Sequence, residues 1–478
     1  MSGQYRCKKC DLEFDSKKSQ NAHVIFAHKT TSPTIKKVLI LGGGFGGIGV
    51  LKELEKKISK DKVSITLVNE ENYFLFTPML PEMAAGMIHP SNIAIPIRKF
   101  CKTAKFYQAV VSDINLNDKL VTITRTFDGK VHALEYDYLV LALGSKNNFF
   151  GNKNMEDNSF TIKSIEDGIA LRNHTISMME NAAQTGDEDL QKRLLTFAVV
   201  GGGFAGVETI GELNHFIRES VRHAYPSIDP KNITPILISA REGILPEVGE
   251  ELGKVAMNYL KKVGVNIVTN TKAVDASEAE ITLNNGGSIP CSTIIWAGGV
   301  AIDPVISSIN CEHENGGRIK VNKFLQNPCN SNVFALGDCA AIKDEKSGKY
   351  YPPTAQHAIR ESKVVAQNVL ESLKEGTKFK EFSYKSKGMM ATIGNRVGVV
   401  SIFGRKLSGV SAWAIWRMYY LANLPTIEKK IKVAFDWTID LLFERDLTLV
   451  GKIKKKELQQ FHLGAEMPSL KEQLFADL

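Results

Sequence analysis

Residues Lys37-Val-Leu-Ile-Leu-Gly42-Gly-Gly44-Phe45-Gly46-Gly47-Ile-Gly-Val-Leu-Lys-Glu-Leu54 decide how this chain is read. An apolar run of strand length gives way to Gly42-x-Gly44-x-x-Gly47 and then to a helical period. In that strand-turn-helix context, glycines let the backbone approach a pyrophosphate seated on a helix N-terminus. One such turn is weak, but the pattern recurs as Leu195-Thr-Phe-Ala-Val-Val-Gly201-Gly-Gly203-Phe204-Ala-Gly206-Val-Glu208-Thr-Ile-Gly-Glu-Leu213. Two turns predict two bound dinucleotides.

Each turn is followed by a second strand, whose end is where a ribose contact is expected. After the first comes Ser64-Ile-Thr-Leu-Val-Asn69-Glu70, in which either Asn69 or Glu70 suits the ribose hydroxyls. After the second comes Thr234-Pro-Ile-Leu-Ile-Ser239-Ala-Arg241. Ser239 and Arg241 stand where an NAD-selective site would carry an acid, and an arginine pairs with a 2′-phosphate, so NADPH is left open beside NADH. Strand ends rich in small residues close both units, Tyr138 to Gly144 through Ala142, and Ile294 to Gly299 through Gly298. Asn332-Val-Phe-Ala-Leu-Gly337-Asp338 then reads as a strand of the first unit resumed.

The 478 residues exceed one compact core, and 43% apolar content suffices to pack two or three. Lys and Arg number 60 against 52 acids, a net charge of +8 that suits an anionic surface without demanding nucleic acid. Seven cysteines, with no secretory leader at the start, point to a reducing cytoplasmic compartment. The long uncharged run from Ile281 to Ile302 is broken by glycines and a proline, so no membrane-spanning helix is expected.

Ahead of the first strand, Cys7, Cys10, His23 and His28 follow Cys-x2-Cys-x12-His-x4-His, the spacing of a tetrahedral zinc site in a ββα finger. A single finger covers about three base pairs. A protein-docking or structural role is therefore favoured over nucleic acid. At the other end, Trp413-Ala-Ile-Trp416-Arg417-Met-Tyr-Tyr-Leu421 reads as a belt of interfacial aromatics. From Ile431 to Phe443, Lys432, Asp436 and Asp440 recur every four residues and leave Ile431, Phe435, Ile439 and Leu442 as an apolar face. Residues 405–456 hold eleven Lys or Arg against five acids, the composition of an anchor on anionic lipid.

With two glycine turns, both small-residue strand ends and the late Gly337-Asp338 in order, the chain resembles the two-dinucleotide-binding-domain flavoproteins. Asn72-Tyr-Phe-Leu-Phe-Thr77-Pro78-Met-Leu-Pro-Glu-Met-Ala-Ala-Gly86 and Pro353-Thr-Ala355-Gln356-His357-Ala358 narrow the resemblance to the type II NADH dehydrogenases. That resemblance implies an α/β fold of two Rossmann-like domains, an FAD domain with an NAD(P)H domain inserted, and a C-terminal amphipathic membrane-binding region. The implied boundaries are 36–160 and 311–385 for FAD, 161–310 for NAD(P)H, 386–478 for the membrane region and 1–30 for the finger.

It further implies FAD at Gly42, Gly44, Phe45, Gly46, Gly47, Thr77, Pro78, Val111, Ala142, Gly144, Gly337 and Asp338. Gly201, Gly203, Phe204, Gly206 and Gly298 would take the nicotinamide nucleotide. Ala355, Gln356 and His357 would lie beside flavin and quinone, and Glu208 at the nicotinamide-flavin junction. A peripheral enzyme on the cytoplasmic face of the membrane, forming a homodimer and passing electrons to membrane quinone, is the expectation. Sulfide:quinone oxidoreductase is the alternative within the superfamily, and a redox-sensing regulator that uses the finger is the alternative outside it. Disulfide reductases are disfavoured because the one Cys-x-x-Cys pair, Cys7 and Cys10, is assigned to zinc.

Overall fold

The computed structural model describes residues 5–6, 13–14, 17, 35–58, 62–386 and 388–450. Cys7, Cys10, His23 and His28 lie outside the described residues. Tyr5–Arg6 and Glu13–Phe14 pair as a short antiparallel ladder.

Two parallel sheets organise the body. In the first, Asn330–Ala335, Tyr138–Leu141, Lys36–Leu41, Val63–Asn69 and Lys105–Asn115 run parallel in that spatial order. Leu120–Arg125 and Val131–Glu135 extend it as an antiparallel meander, and Gln326–Asn327 flanks the far edge. The central strands are buried on both faces, as Val38, Leu39, Ile40 and Leu41 show at 2% exposure or less. That is why they read as continuous apolar runs and not as alternations.

The second sheet is smaller and wholly parallel, in the order Asn266–Val268, Thr234–Ile238, Thr196–Val200, Thr293–Trp296. It is nested within the first, since the strand Asn330–Ala335 returns to the first sheet after the second is complete. Ser145–Asn147 on the way in and Val300–Ile302 on the way out pair antiparallel and form the joint between them.

Beyond these lies a three-stranded antiparallel sheet, Gly388–Thr392, Gly398–Ile402 and Arg405–Gly409, followed by helices Val410–Asn423 and Ile427–Leu442. Among the described residues no helix is long and apolar enough to cross a membrane. The aromatic run 413–421 is not a surface belt throughout. Trp416 is fully buried and Arg417 is 8% exposed, because the helix Val410–Asn423 packs one side on the body of the protein. The helix Ile427–Leu442 buries Val433 and Trp437 against the body and carries further apolar residues on its outer side. Asp436 turns inward, accepting from the His89 N–H (3.1 Å) and Asn92 Nδ2 (2.6 Å). Ile427, Ile431, Phe435 and Leu442 stay 63–76% exposed.

Candidate functional site

The two glycine turns are built alike. Gly42 has φ +104° and Gly201 φ +132°, and a Cβ on either would lie 2.1 Å from the Ala142 carbonyl oxygen or 2.3 Å from that of Ala297. Those carbonyls belong to the ends of the neighbouring strands, so the chain crosses there with no room for a side chain. A Cβ on Gly47 or Gly206 would meet the carbonyl oxygen of Gly42 or Gly201 at 1.8 and 1.9 Å. Gly44, in contrast, faces open space. The helices Phe45–Glu55 and Phe204–Ala224 begin directly after Gly44 and Gly203 with no side-chain cap. Their first N–H groups are left for an anionic ligand.

The strand-end residues divide between closing the turns and facing solvent. Asn69 Oδ1 accepts the Gly43 N–H at 2.6 Å, and its Nδ2 donates to the Glu71 carbonyl at 2.8 Å. Asn69 thus holds the first turn shut, and Glu70 beside it is exposed, with no hydrogen-bond partner among the described residues. Ser239, at the matching strand end, ties its own loop instead: its hydroxyl donates to the Gly243 carbonyl (3.0 Å) and accepts the Arg241 N–H (3.2 Å). Arg241 is exposed, and its guanidinium pairs with no carboxylate among the described residues.

Around the first turn, Phe45 stacks edge-on against Phe74 and Phe76 at 5.0 and 5.6 Å. Thr77 is exposed and Pro78 half-buried at the start of a short turn of helix, Thr77–Met79. Val111 is half-buried and pairs with Ile123 beyond the parallel part of its strand, so it lies apart from Gly42 along the sheet. At the joint between the sheets Gly144 faces open space, whereas a Cβ on Gly298 would lie 2.8 Å from the Trp296 ring.

Asp338 Oδ2 accepts the Ser145 hydroxyl at 2.7 Å, and the Ser145 oxygen accepts Lys163 Nζ at 3.1 Å. Burial holds the Lys163 ammonium below its usual range, opposed by Asp338. The Gly337 N–H donates to Glu361 Oε2 at 2.7 Å, and burial raises that carboxyl to about 7. Sequence reading missed Ser145, Lys163 and Glu361. Glu361 carried no clear signal, since Arg360, Ser362 and Lys363 flank it in sequence and read as a solvated helix face.

That helix, Ala355–Leu373, brings Ala355, Gln356 and His357 into its first turn. The His357 ring is 3% exposed, its Nδ1 is 2.7 Å from the Thr354 hydroxyl, and burial with Arg360 nearby lowers it to about 4. It is therefore neutral at physiological pH. Gln356 lies between the Tyr384 hydroxyl and Met389 Sδ, each at 3.4 Å.

Glu208 is placed by a glycine contact. A Cβ on Gly211 would sit 2.6 Å from the Ile393 carbonyl, and that close approach sets the Thr392 N–H 3.1 Å from Glu208 Oε1. Burial, with Glu82 and Glu212 adding to it, pushes Glu208 up to about 8. A carboxyl so placed carries a proton at neutral pH.

Comparison with known proteins bears on what this arrangement does. Residues 36–362 match the pyridine nucleotide-disulphide oxidoreductase family, and residues 386–446 match the NDH2 C-terminal domain. The chain is 33% identical to a probable NADH dehydrogenase of Dictyostelium discoideum, over 86% of this chain and 91% of that one. It is 30% identical to the type II NADH:quinone oxidoreductase Ndh of Mycobacterium tuberculosis, over 86% and 89%. The structure of NDH2 from Plasmodium falciparum in complex with NADH superposes with a TM-score of 0.80 at 22% identity, covering 86% of this chain and 99% of that one. At that identity the likeness shows the fold.

Proposed function

The chain belongs to the type II NADH dehydrogenase family, and from that premise we propose an FAD-dependent, non-proton-pumping NAD(P)H:quinone oxidoreductase working at a membrane surface. The observation that carries it is the doubled turn: two glycine cradles of one geometry, in two nested sheets, each ending on an uncapped helix. A cradle that a Cβ would fill, with an orienting Asp338 close by, fits FAD at the first turn, and the second fits a nicotinamide nucleotide.

The chemistry supplied by bound FAD is acceptance of hydride from the nicotinamide and delivery of two electrons to a quinone. The chain's own residues do the rest. Backbone N–H groups after Gly44 and Gly203 bind diphosphates, and Asp338, oriented by Ser145, accepts from ligand hydroxyls. Glu70 accepts from a ribose. Gln356 and neutral His357 line the acceptor side without adding charge, and Glu208 holds a proton at its carboxyl.

Anaerobic titration with NADH and NADPH, then with a short-chain quinone and separately with sulfide, tests the reading. Bleaching of the flavin by a nicotinamide and return of its colour on quinone are expected. Reduction by sulfide alone would sink it. Cys339 already argues against the sulfide reading, since its Sγ lies 3.4 Å from the Leu141 carbonyl inside the core and burial raises the thiol to about 12. If NADPH is used, Arg241→Ala should raise its KM about tenfold to a hundredfold, the worth of a charge-assisted bond, and leave the KM for NADH nearly unchanged.

The exposed apolar row Ile427, Ile431, Phe435, Ile439 and Leu442 supports docking on lipid. Ile431→Glu with Phe435→Glu should release the protein from phosphatidylglycerol vesicles in a sedimentation assay while sparing turnover of a water-soluble quinone. Retained vesicle binding would move the anchor elsewhere. We also propose zinc on Cys7, Cys10, His23 and His28, with the finger docking a protein. The ladder between Tyr5–Arg6 and Glu13–Phe14 supports the ββ half of such a module. About one zinc per chain is expected by metal analysis, and its absence from freshly purified protein would dismiss the site.

A further inference from the structure

Where the helix Phe204–Ala224, the strand Gly388–Thr392 and the C-terminal helices converge, four carboxyl groups and two guanidiniums are withdrawn from water. Glu82, Glu208 and Glu212 are at most 7% exposed and Arg417 and Arg445 are 8% exposed. Asp440, whose side chain is 12% exposed, lies at the outer edge. The direct contacts mark two ends of the cluster. At the edge Arg445 Nε donates to Asp440 Oδ1 at 2.7 Å. Inside, Thr392 gives its N–H to Glu208 Oε1 and its hydroxyl to Glu212 Oε1, both at 3.1 Å.

Between these ends Trp437 Nε1 donates to Glu82 Oε2 at 3.0 Å, and the charged groups face one another beyond hydrogen-bond distance. Glu82 Oε1 is 3.7 Å from Arg417 Nη2, and Glu212 Oε2 is 3.9 Å from Arg445 Nη2. Glu82 Oε1, Glu212 Oε2, Arg417 Nε and Arg445 Nη2 have no hydrogen-bond partner among the described residues. Buried ionic atoms are not left dry in native proteins, and gaps of this kind are bridged by ordered water.

We propose that this cluster encloses a hydrated proton-uptake route that enters at Asp440, passes Glu212 and ends on Glu208. The proposal rests on the quinone reductase reading. NADH, one proton and quinone give NAD⁺ and quinol: the nicotinamide C–H bond breaks with its electron pair, two O–H bonds form on the quinone, and one proton must come from solvent. Four carboxylates against two guanidiniums would leave excess negative charge in a region of low dielectric, so the cluster retains protons. Glu212 faces Glu208 on its own helix, with Glu82, Tyr259, Arg417, Asp440 and Arg445 on the elements packed against it. His215, on the same helix, stays neutral through burial and the nearby Arg445.

The test uses FAD-loaded Glu212→Gln and Asp440→Asn. Flavin reduction by NADH should keep its rate in both variants. The quinone half-reaction should slow about tenfold or more, as loss of a proton-transfer group does, with an enlarged solvent deuterium effect. Independently of turnover, the infrared carbonyl band of the protonated carboxyls should titrate at lower pH in Glu212→Gln, because Glu208 loses an acidic neighbour. Asp440→Asn, at the solvent edge, decides between the outcomes by itself if Glu212→Gln fails to fold. An unaltered quinone step in both variants, or equal loss in both half-reactions, overturns the route. Absence of quinone turnover in the unmodified protein would overturn the functional reading instead.

Discussion

Gly201→Ala is expected to purify with its flavin colour intact and to lose its response to NADH. The new Cβ would stand 2.3 Å from the Ala297 carbonyl oxygen at a backbone φ of +132°, a conformation that costs an L-residue about 1–3 kcal/mol before any clash is counted. Relief requires the turn to move away from the strand Thr293–Trp296, which carries the Gly206 backbone and the first helical N–H groups with it. A loss of about 2–4 kcal/mol of nucleotide binding corresponds to about 30- to 700-fold in KM. The first sheet does not share that turn, so FAD content should be unchanged. Gly42→Ala supplies the mirror experiment, with its Cβ 2.1 Å from the Ala142 oxygen and loss of flavin as the result. Stopped-flow flavin reduction and the ratio of flavin to protein absorbance read both variants. Flavin loss from Gly201→Ala, or undisturbed NADH reduction, would refute the division of labour between the two turns.

The doubled turn was legible because backbone constraint writes itself into sequence as glycine. Gly42 and Gly201 are dictated by a neighbouring carbonyl, and Gly47 and Gly206 by the turn's own first residue. Asn69 and Ser239 were visible as residues at strand ends, but not Asn69 as the closer of the glycine turn nor Ser239 as the tie of its own loop, because a short polar side chain reads the same whether it bonds a ligand or the chain. The C-terminal region misled in one respect. Trp413 to Leu421 has the composition of a membrane belt, yet Trp416 is core, since composition does not say which side of a helix meets the body. The buried ion cluster was hardest to foresee. Glu82 stands in Thr77-Pro78-Met-Leu-Pro-Glu-Met-Ala-Ala, and a lone acid in an apolar run was its only mark. Its cation lies 335 positions further along the chain, at Arg417, where no periodicity links them.

That pair yields the second large effect: Arg417→Ala should destabilise the protein, and more at high pH than at low. The guanidinium lies 4.2 Å from the Trp413 ring centre and 4.5 Å from that of Trp437, with Nη2 3.1 Å from Met87 Sδ and 3.7 Å from Glu82 Oε1. Removing one partner of a buried pair costs about 3–5 kcal/mol when the other stays charged. Glu82 has an escape, because burial raises its carboxyl well above the usual range even with Arg417 present. An acid whose folded pKa exceeds its unfolded value binds more protons in the folded state, so its contribution to stability falls as pH rises between the two values. Without Arg417 the folded value rises further and the fall extends to higher pH. Thermal and denaturant melts should therefore show a modest loss at pH about 6, chiefly of ring stacking and packing, and a larger one at pH about 9. Glu82→Gln should flatten this slope, and in the double variant the extra alkaline loss should vanish. A cost for Arg417→Ala that does not change with pH would mean that Glu82 stays ionised across the range, and protons would then have to be counted on Glu208 and Glu212 alone.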